Sequence, residues 1–139
     1  MSNPILVVED NDDLLILFKL VLESAGYQVA TAENGTDALK YIDEIQPQLI
    51  LMDIMMPEIS GLQVARNIKQ RKNYGSLPIL LVSALDRLED EQLQDSKADD
   101  ILYKPFDLDD LILKVEHLTN GVKKTSKAKL VVNYCREAC

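Results

Sequence analysis

Residues 49–57 read Leu-Ile-Leu-Met-Asp-Ile-Met-Met-Pro. Four large apolar side chains in succession, with no polar residue alternating between them, fit a strand buried on both faces. Strands of that kind belong to parallel sheets covered by helices. The run ends at Asp53, so an acid stands at the carboxyl end of a buried strand. Open parallel sheets gather their ligands at that end.

The same pattern recurs on either side. Ile5–Val8 and Ile79–Val82 are continuous apolar runs, and Tyr27–Thr31 and Ile101–Tyr103 are weaker strand candidates. Segments with helical spacing lie between them. Ala38, Leu39, Ile42 and Ile45 form one stripe, and Leu62, Ala65 and Ile68 form another. The cleanest stripe is Leu108, Leu111, Ile112, Val115 and Leu118. Asp107 suits its N-cap, and Asp109 and Asp110 suit the positive end of the helix dipole. A βα unit repeated five times predicts an α/β fold: a doubly wound five-stranded parallel sheet with helices on both faces.

Two segments depart from an ordinary helix. Around Asp13–Ala25 the chain is apolar nearly all round, which leaves Ile16 and Leu20 among polar positions as an i, i+4 pair. They are either singly exposed apolar residues or a contact surface. Residues 86–99 are rich in acids and amides around Leu88 and Leu93, and so few apolar anchors predict low local stability.

Composition narrows the function classes. The 139 residues carry a formal charge of −8, with 15 basic and 23 acidic side chains. Phosphate backbones would repel such a chain, which argues against direct nucleic-acid binding. The charge is divided unevenly: residues 121–139 hold five basic side chains and one acid, which leaves the first 120 residues at −12. The longest apolar stretch, Leu14–Phe18, is far shorter than the roughly 20 residues that span a bilayer. Residues 1–15 do not read as a secretory leader. Cys135 and Cys139 sit together near position 139, where they cannot staple a fold, and a single His117 does not complete a zinc site. A reducing, cytoplasmic setting without membrane attachment is expected. The domain is expected to occupy residues 1–120, with 121–139 a basic tail or linker that contains a short strand-like run, Leu130–Tyr134.

Glu9 and Asp10 follow the first strand directly, and Asp53 caps the third. In a doubly wound sheet those strand ends are neighbours, so three carboxylates converge. Such groups repel and raise one another's pKa, and a hard cation such as Mg²⁺ is the usual resolution. The fourth strand ends in Ser83 and the fifth leads into Lys104. Carboxylates, metal, hydroxyl and ammonium form the set that phosphoryl transfer uses to hold charge on equatorial oxygens. A carboxylate nucleophile would form an aspartyl phosphate. His117, on the last helix, is away from this edge.

Val8-Glu9-Asp10, Leu51-Met52-Asp53-Ile54-Met55-Met56-Pro57 with Gly61, Ser83-Ala84, Ala98-Asp99-Asp100 and Lys104-Pro105-Phe106 together resemble the receiver domain of two-component response regulators, of the chemotaxis-type single-receiver kind. The resemblance covers about residues 4–119 and implies a flavodoxin-like sheet in the order 2-1-3-4-5. It implies that Asp53 is the phosphoacceptor and that Asp10, Asp53 and the Met55 carbonyl bind Mg²⁺, with Glu9 contributing through water. Ser83 and Lys104 would contact the phosphoryl group, and the Lys104–Pro105 bond would be cis. It further implies a sensor histidine kinase or a histidine phosphotransfer protein as donor. The protein would then have no enzymatic activity beyond its own phosphorylation and dephosphorylation, and its output would pass through a protein partner or an effector domain.

Two positions depart from the family pattern. Ile101 stands where an aromatic is usual, and Lys97 where a glycine is common before Ala-Asp-Asp. Phosphorylation is therefore expected to shift the Ser83 loop and residues 86–99 without an aromatic swing. A phosphatase of the haloacid-dehalogenase type would need a second aspartate at position 55, which is methionine, and no phosphate-binding glycine loop is present. A receiver-fold interaction module that works without phosphorylation, and the N-terminal part of a longer transcriptional regulator, are the alternative readings.

Overall fold

Five continuous or near-continuous apolar runs become five parallel strands: β1 Ile5–Val8, β2 Val29–Ala32, β3 Leu49–Asp53, β4 Ile79–Ser83 and β5 Asp100–Tyr103. The helices that alternate with them are α1 Asp12–Ser24, α2 Gly35–Ile45, α3 Gly61–Gln70, α4 Asp90–Ser96 and α5 Leu108–Asn120. The computed structural model describes residues 3–84 and 90–120. The expected basic tail, its two cysteines, and residues 85–89 of the acid-rich segment lie outside the described residues.

The sheet order is β2-β1-β3-β4-β5, the doubly wound arrangement expected. The three central strands are buried throughout, and successive residues serve opposite faces. Leu6, Val8, Ile50, Met52, Ile79 and Leu81 pack with Ala38 and Ile42 of α2 and Val64, Ala65 and Ile68 of α3. Ile5, Val7, Leu49, Leu51, Leu80 and Val82 pack on the other face with Phe18 and Leu22 of α1 and Leu111 and Val115 of α5. Leu93 of the short α4 and the neighbouring Ala98 and Ile101 lean on the first of these clusters.

Polar side chains start the helices where each strand stops. Asn11, Asn34 and Ser60 accept from the backbone N–H three residues on, at the starts of α1, α2 and α3. Four of the five strands match the expected positions to within one residue at each end. β2 begins two residues later than the Tyr27–Thr31 pattern suggested, because the Tyr27 N–H is spent on the Leu22 carbonyl, closing α1 through Gly26 at φ 98°. Ile16 and Leu20 are 55% and 60% exposed, as the helical wheel predicted. No described helix is long and apolar enough to cross a membrane.

Candidate functional site

Register decides which side chains meet. Val8 pairs with Met52, so Glu9 and Asp10 leave β1 beside the end of β3. Asp53 is opposite Val82 and Ser83 opposite Tyr103, which sets Ser83 and Lys104 along the same carboxyl edge. The Lys104 N–H donates to the Ser83 carbonyl at 2.7 Å and holds the β5 exit against β4. Beyond it the Lys104–Pro105 bond is cis, and Phe106 stacks on Phe18 of α1 at 5.8 Å between ring centroids.

Oxygens of Glu9, Asp10 and Asp53 all lie within 4.8 Å of one another. Asp53 is 6% exposed, Glu9 2% and Ser83 fully buried, whereas Asp10 is exposed. Lys104 Nζ donates to Asp53 Oδ2 at 3.3 Å, and the Met55 N–H donates to Asp53 Oδ1 at 3.0 Å. The Met55 side chain itself points outward and is 58% exposed.

Glu9 is buried beside Asp53, where a proton held between the two carboxyls would form a side-chain hydrogen bond. Burial, that hydrogen bond and the Asp53 charge push its carboxyl from 4.5 up to about 8, with Asp10 adding to the effect and Lys104 opposing it. Near neutrality Glu9 holds the proton of the bond, because two bare carboxylates at this depth would repel. Its other oxygen, Oε2, is buried with no hydrogen-bond partner. A buried acceptor without a donor is costly, and a cation would satisfy it. Three carboxylates that converge on one exposed opening fit a hard, oxygen-ligated ion such as Mg²⁺.

One residue of the site had no chemical signal in the sequence. Gly61 begins α3, and its N–H donates to the Ile54 carbonyl at 2.8 Å. A Cβ there would meet the Asp53 carbonyl oxygen at 2.3 Å and Ile54 Cα at 2.9 Å. Only glycine lets the helix seat so closely behind the Asp53 backbone. The position was visible only as part of a motif, since a close approach between backbones leaves no mark in hydropathy.

Lys97 and Ile101 are also explained in part. Lys97 follows α4 at φ 62°, the left-handed region that favours glycine. Ile101 is half-buried against the cluster under α2 and α3, and Tyr103 is exposed at the end of β5.

Comparison with known proteins agrees with this geometry. The family model of the response regulator receiver domain matches residues 5–116. The DNA-binding dual master transcriptional regulator RpaA of Synechocystis sp. is 32% identical over 133 residues, which are 93% of this chain and 55% of that protein. The alkaline phosphatase synthesis transcriptional regulatory protein PhoP of Bacillus subtilis is 38% identical over 107 residues, 76% of this chain and 44% of that protein. The chain thus spans about half the length of such relatives. Among solved structures, the response regulator TrrA of Thermotoga maritima in complex with Mg(2+)-BeF superposes with a TM-score of 0.76 at 38% identity, over 84% of this chain and 99% of that one. The chain belongs to the response regulator receiver domains of two-component signal transduction.

Proposed function

We propose that Asp53 accepts a phosphoryl group from the phosphohistidine of a sensor histidine kinase or a histidine phosphotransfer protein. The observation that carries this reading is the setting of Asp53: 6% exposed at the end of the central strand, with the Lys104 ammonium 3.3 Å from one oxygen. An Asp53 oxygen attacks phosphorus, the bond from phosphorus to the donor imidazole nitrogen breaks, and that nitrogen keeps the electron pair and takes a proton. Glu9, Asp10, Asp53 and the Met55 carbonyl are the groups to hold Mg²⁺, which when bound offsets the negative charge of the phosphoryl oxygens. Lys104 exchanges its bond to Asp53 for one to the incoming phosphoryl oxygens, and the Ser83 hydroxyl donates to another.

The protein acts on no substrate besides its own aspartate. Residues 1–120 form the receiver, residues 121–139 form a tail or linker, and the setting is the cytoplasm. Output runs through a surface that shifts with the Ser83 loop and the segment after it. Ile101 has no aromatic ring to swing, so a partner protein reads backbone movement there.

The test is incubation with Mg²⁺ and a small phosphodonor, followed by intact-mass spectrometry. One phosphate is expected on the native chain and none on Asp53→Asn. No uptake by the native chain, or uptake that survives in Asp53→Asn, overturns the assignment and favours an interaction module without phosphorylation. Relatives of about twice this length, named as transcriptional regulators, favour a second reading of the output, in which it passes through a DNA-binding domain in the same polypeptide. The full reading frame decides between the two.

A further inference from the structure

β2 is an edge strand, paired only with β1 among the described residues. The Ile5 N–H donates to the Gln28 carbonyl at 2.8 Å and the Glu9 N–H to the Ala32 carbonyl at 3.1 Å. In a parallel ladder that alternation turns the N–H and C=O groups of Val29 and Thr31 outward, away from β1. Edges of this kind are commonly blunted by a lysine or a proline in the strand itself, and Val-Ala-Thr-Ala has neither.

The charge stands on the flank instead. Asp37, Tyr41 and Glu44 share one face of α2, at i, i+4 and i+7, and with Thr31 and Glu33 they line a cleft of about 340 Å³ along this edge. Three carboxylates face the cleft, and no basic side chain lines it. None of the three belongs to an ion pair among the described residues. Lys40 lies over the Tyr41 ring, 5.1 Å from its centroid. The other edge differs, because Asp100 of β5 is paired with Lys114 Nζ at 3.0 Å.

Charge of one sign both excludes and selects. A second copy laid along β2 would bring a second set of the same acids to the seam, and like charges there repel. An extended segment with lysine or arginine at alternate positions meets the opposite condition. Side chains at i, i+2 and i+4 share one face of a strand, so its cations all turn toward the α2 acids. The residues between them fall on the other face of the sheet, beside Val29.

We propose that the β2 edge and the acids beside it are a docking site for an extended basic segment of a partner protein, which adds to the sheet as a sixth strand. Main-chain hydrogen bonds to Val29 and Thr31 supply the attachment, and Glu33, Asp37 and Glu44 select the sign of the charge. The site lies at the opposite edge of the sheet from β5 and uses none of Glu9, Asp10, Asp53, Ser83 and Lys104. Binding there is independent of phosphorylation.

NMR titration of the full 139-residue chain with the end-capped peptide Lys-Val-Lys-Thr-Lys-Val-Lys tests it. The Val29 and Thr31 amides should shift saturably and exchange more slowly when the peptide is bound. The same peptide N-methylated at two adjacent central nitrogens, one of which must face β2, should bind at least about tenfold more weakly. Glu33→Gln/Glu44→Gln should weaken the native peptide about fivefold at low salt, with Leu6 and Leu81 amides as protected as before, which shows that the variant folds. Asp53→Asn should bind it as tightly as the native chain. No saturable shift at Val29 and Thr31, or equal affinity for the methylated peptide, overturns the proposal. So does weaker binding by Asp53→Asn, which would place the peptide at the phosphoryl opening. Protection of Val29 and Thr31 that exists without peptide and fades on dilution also overturns it, because the edge would then be covered by a second copy.

Discussion

Two lysine–aspartate pairs stand at opposite ends of the sheet. At the amino end, Asp99 Oδ2 accepts from Lys69 Nζ at 2.8 Å and from the Ile79 N–H at 2.8 Å, and Lys69 also reaches the Gly75 carbonyl at 3.3 Å. At the carboxyl end, Asp53 accepts from Lys104 at a looser 3.3 Å and lies against a buried Glu9 whose Oε2 has no partner. The first pair ties the end of α3 to the start of β4 and the approach to β5, and its donors and acceptors are matched. The second holds more acid than its donors can satisfy. A saturated pair contributes stability, whereas an unsaturated one gives up stability and keeps an affinity for cations and donors that arrive from outside.

The contrast is sharpest in its pH dependence. Glu9 ionises at about 8 in the folded protein and near 4.5 without its neighbours. Below the lower value both states hold the proton and Glu9 costs nothing. As pH rises from 4.5 to 8 the unfolded chain releases its proton while the folded one retains it, so stability falls, and the loss is complete above 8. Urea denaturation without divalent cations should register a decline of at most about 5 kcal/mol across that window. Mg²⁺ should recover much of it at pH 8, and Glu9→Gln should flatten the slope. A flat profile in the native chain would mean that the two ends of the sheet are equally satisfied.

The amino end should respond to the loss of its acid. Asp99→Ala leaves the Lys69 ammonium, on a side chain only 7% exposed, and the Ile79 N–H without their acceptor. A cost of about 3 kcal/mol in the urea midpoint is expected, with phosphate uptake retained.

How far these two ends could be read from sequence differs for a physical reason. The carboxyl edge was legible because continuous apolar runs fix strand ends, and Asp53, Ser83 and Lys104 each adjoin one. Lys69–Asp99 was not, since its partners are thirty residues apart and meet only through the packing of α3 beside α4. The Glu9 proton was half legible. Adjacent acids announced a conflict, but burial decided that Glu9 rather than the exposed Asp10 resolves it. Gly61 and Lys97 depend on backbone approach and dihedral angle, to which hydropathy is blind.

Asp53→Asn should have the opposite sign to Asp99→Ala. It removes one of three clustered carboxylates and leaves an amide whose single oxygen can still accept from the Met55 N–H, with the NH₂ in place of the oxygen that met Lys104. Without Mg²⁺ at pH 8 the variant should be more stable than the native protein by about 1 kcal/mol, because Glu9 then ionises with less opposition. Thermal or urea unfolding checks this, and a destabilised variant would place Asp53 with Asp99 as a structural acid.

The smallest effect lies close to Asp99. Lys97 turns the chain from α4 toward β5 at φ 62°, with its N–H on the Gln94 carbonyl at 3.1 Å. A side chain with a Cβ is strained there, and the hydrogen bond needs only the backbone. Lys97→Gly keeps the bond and relieves the strain, against a larger loss of backbone freedom on folding. The net gain should be below about 1 kcal/mol. Lys97→Val, branched at the strained carbon, should lose about 1 kcal/mol or more. Both substitutions should leave phosphate uptake unchanged, because the turn meets the sheet at the amino end and Asp53 stands at the other.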